Sequence, residues 1–162
     1  MSILDSMEQS ALGVWVSSSP AGYYIMLAFH AVGLAMLVGS VTVIDIRLLG
    51  FVRGINEKAM AGLVKFAWWG LLINALSGVA LFFSEANKAF YSWSFRIKIT
   101  LMLCGVLSTL ILNKTVLLPA SASDVANIKG SAKAQACLSL ALWVSVIIVG
   151  RMMSYLTEFT AK

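Results

Sequence analysis

The sequence predicts an all-α membrane protein: a four-transmembrane-helix bundle with a short N-terminal interfacial helix. Three observations predict it. Of the 162 residues, 60% are hydrophobic and only 12% are charged, against roughly 45–50% and about 25% in a soluble domain. No Asp, Glu, Lys or Arg occurs from Gln9 to Ile44, from Phe66 to Ser84, from Ile99 to Asn113, or from Ala134 to Gly150. These runs are apolar all round instead of alternating, which excludes barrel strands and leaves the helix as the way to satisfy the backbone in hydrocarbon.

The elements follow in order. Leu4, Met7, Ala11, Val14 and Trp15 recur near the helical period, so residues 3–16 read as a helix lying in the membrane interface. Ser17, Ser18, Ser19 and Pro20 break it. A spanning helix needs roughly 20 apolar residues. The uncharged runs meet that length once flanking Lys and Arg reach towards the headgroups, and spans are predicted at 22–45, 62–84, 94–118 and 134–157. Together they form a single integral membrane domain over 1–162. The segment from Pro119 to Gly130 is small and polar and reads as a loop. The first 20 residues hold Asp5 and Glu8 and no Lys or Arg, the reverse of a cleavable signal.

Basic residues orient the chain. Arg47, Arg53, Lys58 and Lys65 flank the first connection, and Lys114, Lys129 and Lys133 flank the third. The opposite side carries Lys88, Arg96, Lys98, Arg151 and Lys162, and the N-terminal segment carries none. The positive-inside rule then puts both termini outside. Trp15, Tyr23, Tyr24, Tyr91, Trp93 and Tyr155 form the aromatic belt expected at that outer face. The net charge of +5 belongs to this topology and does not indicate nucleic acid. Cys104 and Cys137 both fall in spans and read as buried free thiols.

His30 is the single histidine, and it lies about 12 Å below the outer end of the first span at 1.5 Å per residue. Ionisable groups at that depth face protein, a cavity or a cofactor. One reading is a neutral imidazole bonding a neighbouring helix. The other begins with Arg96, Lys98 and Arg151, which the topology places in the same third of the bilayer, with Glu85 at that level as a partner for one of them. An imidazole below a crown of cations suits a b-type haem: His30 ligates the iron and Arg96, Lys98 and Arg151 meet the propionates. Gly33, on the same helix face, leaves room for a flat macrocycle. One histidine gives one axial ligand, so a second comes from a methionine (Met26, Met36, Met102 or Met152), from His30 of another copy, or not at all.

The stretch from Phe29 through His30 to Gly39, followed by Asp45-Ile-Arg-Leu-Leu-Gly50, resembles the first helix of an uncharacterised family of bacterial four-helix inner-membrane proteins. Phe95-Arg-Ile-Lys98 is similar to that family's third-helix start, and Trp143 to Met152 resembles its closing helix. The family is similar in outline to membrane cytochromes b and copper-resistance D proteins. That resemblance implies a bacterial inner (cytoplasmic) membrane location and a redox or metal-linked role for His30, Arg96, Lys98 and Arg151. The chain departs from the cytochrome b pattern in having no further histidine; Asn113 stands where one would be expected.

Three functions are therefore weighed. The first is a haem b protein passing electrons to a redox partner. The second is a non-catalytic membrane scaffold or accessory subunit with His30 as a core residue. The third is an oligomeric small transporter or metal conduit, ranked last because the spans show carboxylates only at their ends, Asp45 and Glu85. No hydrolytic constellation is present, and the chain is not expected to be an enzyme on its own. A homo-oligomer is expected in the bilayer, since Gly70, Ser77 and Gly78 permit close helix contact.

Overall fold

The computed structural model describes residues 2–52, 57–113 and 130–159. Seven helices are found there: α1 (Ile3–Glu8), α2 (Ala11–Ser18), α3 (Gly22–Leu49), α4 (Glu57–Ser84), α5 (Ala86–Tyr91), α6 (Trp93–Leu112) and α7 (Gly130–Phe159). No strand occurs among the described residues. Gly22–Leu49, Lys58–Ser84, Trp93–Leu112 and Gly130–Met152 are each long and apolar enough to cross a membrane. Many large apolar side chains on them are exposed, including Phe29, Leu76, Leu107 and Ile148; on spanning helices this is the surface lipid covers. The expected end of the third span at 118, positions 119–129 of the expected loop, Arg53, Lys114, Lys129, Lys162 and the side chain of Tyr155 lie outside what is described, and Gly130, expected in that loop, opens α7.

The N-terminal helix is two helices instead of one. Ser2 and Asp5 form a capping box on α1: Ser2 Oγ accepts from the Asp5 amide at 3.2 Å, and Asp5 Oδ2 accepts from the Ser2 amide at 2.8 Å. Ser10 then N-caps a new helix, its Oγ accepting from the Gly13 amide at 3.2 Å. A fresh cap at Ser10 outcompetes continuation of α1, and α2 runs on through Ser18.

The first long helix also ends later than its first charge. The Gly50 amide bonds Arg47 O at 2.9 Å and the Phe51 amide bonds Ile46 O at 3.2 Å, with Gly50 at φ 90°. This is a Schellman stop, in which glycine adopts the left-handed conformation at low cost. Asp45 is therefore a full turn inside α3.

The chain divides into two compact units, Met1–Gly39 with Lys65–Trp93, and Ser40–Val64 with Ser94–Lys162. In the first, α3 and α4 run antiparallel in backbone contact. A β-carbon on Gly33 would lie 2.5 Å from the Asn74 amide nitrogen and 2.8 Å from Gly70 O, and one on Gly70 would lie 2.6 Å from the Leu37 nitrogen. Small residues let helices approach this closely. In the second unit, side chains fill the core. Ile44, Leu48, Met60, Leu112 and Ala136 form a buried cluster. Trp143, 1% exposed, lies over Gly105, where a β-carbon would meet its Cε2 at 3.1 Å. Its indole N–H donates to Thr109 Oγ1 at 3.3 Å, the partner a buried tryptophan needs.

Candidate functional site

Three to four residues per turn put His30, Gly33 and Leu37 on one face of α3, and Gly70, Asn74, Ser77 and Gly78 on the facing side of α4. The glycine crossing brings the two backbones close enough for side chains to reach the opposite helix. His30 Nδ1 lies 3.0 Å from Asn74 O, and Asn74 Nδ2 donates to His30 O at 2.8 Å. The two residues thus bond each other's main chains. Ser77 Oγ donates to Ile73 O at 2.7 Å and lies 3.3 Å from His30 Nδ1. Gly78 makes room for the ring: a β-carbon there would sit 3.2 Å from His30 Cε1.

This geometry assigns the tautomer. A carbonyl oxygen accepts and never donates, so Nδ1 carries the hydrogen, and the ring's lone pair is on Nε2. That is the arrangement of a metal-bound histidine, whose other nitrogen is held by a carbonyl or carboxylate. It serves a structural imidazole equally well, as a donor in a helix-to-helix clamp. The donor set offers one nitrogen to an iron. Among the described residues no group of three His, Cys, Asp or Glu could hold a metal ion.

His30 belongs to the first unit, whereas Arg96, Lys98 and Arg151 belong to the second. Within the second unit, Lys98 lies across Gly150: a β-carbon there would be 3.7 Å from Lys98 Cε and 3.9 Å from Nζ. Lys98 of α6 and the turn of α7 that carries Arg151 thus share an edge, and Arg96 and Arg151 are exposed. Glu85, expected as a partner for one of these cations, belongs to the first unit. It forms an exposed ion pair with Lys88 at 3.3 Å.

Several assignments change. Gly33 does not face a macrocycle; it is the contact point with α4. Gly70, Ser77 and Gly78 serve the α3–α4 crossing inside one chain, so they supply no argument for self-association. Cys104 and Cys137 are free but exposed, because a thiol on a spanning helix sits comfortably against hydrocarbon.

The sequence reading missed two polar clusters. In the first unit, Asn87 at the start of α5 is held by α1: its amide donates to Glu8 Oε1 at 2.8 Å, and its Nδ2 donates to Asp5 Oδ1 at 3.0 Å and Glu8 Oε2 at 3.1 Å. The Ser2 amide and hydroxyl, and then the Asn87 amide, hold the Asp5 carboxyl below the ordinary aspartate range. In the second unit, Ser108 accepts from Gln135 Nε2 at 2.9 Å, and Asp45 and Ser139 are fully buried, each 0% exposed.

Helices of spanning length, a clamp built from spanning-helix side chains and lipid-facing apolar surface define a multi-pass, all-helical membrane protein. The chain belongs to the DUF6644 family, a family of unknown function, whose model matches residues 3–156. No curated protein and no solved structure matches it.

Proposed function

We propose that this protein is a b-type haem-binding membrane protein with an electron-transfer role, in which His30 Nε2 is an axial ligand to iron. The observation that supports this reading is the bond from His30 Nδ1 to the Asn74 carbonyl. It orients the ring, sets the tautomer and raises the basicity of Nε2, as a second-sphere partner does for a ligating histidine. Haem, when bound, supplies a one-electron iron couple whose potential follows its axial ligand and the surrounding dielectric. The expectation that Arg96, Lys98 and Arg151 meet the propionates joins residues of both units; the ligation proposed here requires His30 alone. The proposal places the chain in a bacterial inner membrane, with both termini outside by the distribution of its basic residues. A redox partner protein and a second copy of the chain are its proposed associates.

Absorption spectra of the detergent-solubilised protein from haem-replete cells test this. A Soret band is expected, lost in His30→Ala and retained in Asn74→Ala, which removes the amide donor to His30 O but keeps the backbone carbonyl that holds Nδ1. A colourless wild-type preparation would overturn the proposal.

A second reading is favoured by the reciprocity of the clamp. His30 and Asn74 satisfy each other's helix without any ligand, as a scaffold or accessory subunit requires. It predicts a colourless protein that co-purifies with a larger partner and assembles normally as His30→Gln.

A further inference from the structure

Asp45 lies in α3 four residues before its last, Leu49. Both of its carboxyl oxygens are buried and make no hydrogen bond among the described residues. Its polar neighbour is Ser139 on α7, whose buried hydroxyl likewise makes none of acceptable geometry. Apolar side chains adjoin both. Leu48 is one turn on from Asp45 and Ala136 one turn before Ser139, and both belong to the cluster with Ile44, Met60 and Leu112.

No charge compensates Asp45 among the described residues. On α3, Arg47 is two residues on, a spacing at which side chains do not face each other; its Nη1 is also buried, and it makes no hydrogen bond to Asp45 among the described residues. On α4, Lys58 is exposed. On α6, the buried polar group is Ser108, which is occupied by Gln135. On α7, Lys133 is exposed and about 9 Å further along the axis. An unpaired carboxylate in such surroundings is strongly disfavoured. A proton abolishes that charge and turns one carboxyl oxygen into a donor.

We propose that Asp45 and Ser139 form a proton-binding site in the second unit. The carboxylate takes one proton from water and becomes a neutral acid. Its O–H donates to Ser139 Oγ, and ionisation returns the proton to water. A metal ion suits the place less well. Two carboxyl oxygens and one hydroxyl make three donors, where a hard cation takes about six or more. The site is independent of His30 and of any haem, so a colourless protein leaves it standing.

Infrared spectroscopy of the full chain in lipid nanodiscs, titrated in H2O and D2O, tests the proposal. The carbonyl stretch of a protonated carboxylic acid is expected, shifted down in D2O, lost on raising pH and absent in Asp45→Asn. In Ser139→Ala the band should persist at higher frequency, since the acid has lost its partner. That variant alone decides the matter if Asp45→Asn does not fold. Absence of the band at every pH overturns the site. So does its full retention in Asp45→Asn, an unmoved frequency in Ser139→Ala, or its removal by sodium or potassium chloride at constant pH, which would mark a metal-cation site instead.

Discussion

The two units solve helix packing in opposite ways. Around Gly33 and Gly70 the backbones of α3 and α4 touch, and the polar side chains at the crossing, His30, Asn74 and Ser77, bond across or along the helices. In the second unit one large side chain, Trp143, fills the gap at Gly105, and elsewhere in it the Asp45 carboxyl and Ser139 hydroxyl are buried without hydrogen bonds among the described residues. Close backbone contact in hydrocarbon gains dispersion energy without a hydrophobic driving force, and it leaves no room for an unsatisfied group. Bulky packing tolerates one. The first unit is built like a structural joint, and the second keeps a titratable group in reserve.

Truncation should hurt the second unit most. Trp143→Ala removes the largest of its fully buried side chains and leaves Thr109 without its indole donor. A loss of about 3–5 kcal/mol is expected, read by titration with SDS in mixed micelles. A loss below about 1 kcal/mol would show that α6 and α7 do not rely on this side chain. Adding one methyl group should divide the units the other way. In Gly33→Ala the new carbon meets backbone atoms at 2.5 and 2.8 Å, which yield only if the helices part, and about 1–3 kcal/mol should be lost. Gly105→Ala meets the Trp143 ring at 3.1 Å and should cost less, because a side chain can shift. Gly39→Ala meets nothing within 4 Å and should be neutral or slightly stabilising, as alanine favours the helix. Equal losses at Gly33 and Gly105 would show that the two crossings yield alike.

The four spans were legible because hydropathy is a local property of the chain, readable without knowing what packs against what. The end of α3 was misjudged for the same reason. Asp45 ends a run of hydropathy but not a helix, and the stop is carried by Gly50, where a left-handed residue was available. The break after α1 also had its signal, in Ser10 placed three residues before Gly13. The partner of His30 had none. Asn74 is 44 residues away, and the pairing depends on the register in which Gly33 meets Gly70. Glycines in a spanning helix read alike whether they face another helix of the same chain, a second copy or a cofactor. Hence Gly33 was expected beside a macrocycle and Gly70 at a dimer contact. That a histidine at depth is held within the protein was readable; the clamp that holds it was not.

The smallest effect expected concerns the link between α1 and α5, where the comparison extends to a wet part of the first unit. Asp5 is held below its ordinary range by Ser2 and Asn87. Its ionised form is therefore favoured in the folded state, and the associated stability is present above the unfolded value, about 3.9. It is lost as pH falls through the lower folded value. A nitroxide on Ile3→Cys, in a background with Cys104 and Cys137 replaced by serine, reports this locally, since Ile3 is 79% exposed. Its spectrum should sharpen below about pH 4 while the α3–α4 crossing stays folded. In Asn87→Ala it should already be partly sharpened at neutral pH. A label whose mobility is unchanged by acid and by Asn87→Ala would mean that α1 is held by apolar contact alone, and that hydrogen bonding governs the first unit only at the His30–Asn74 clamp.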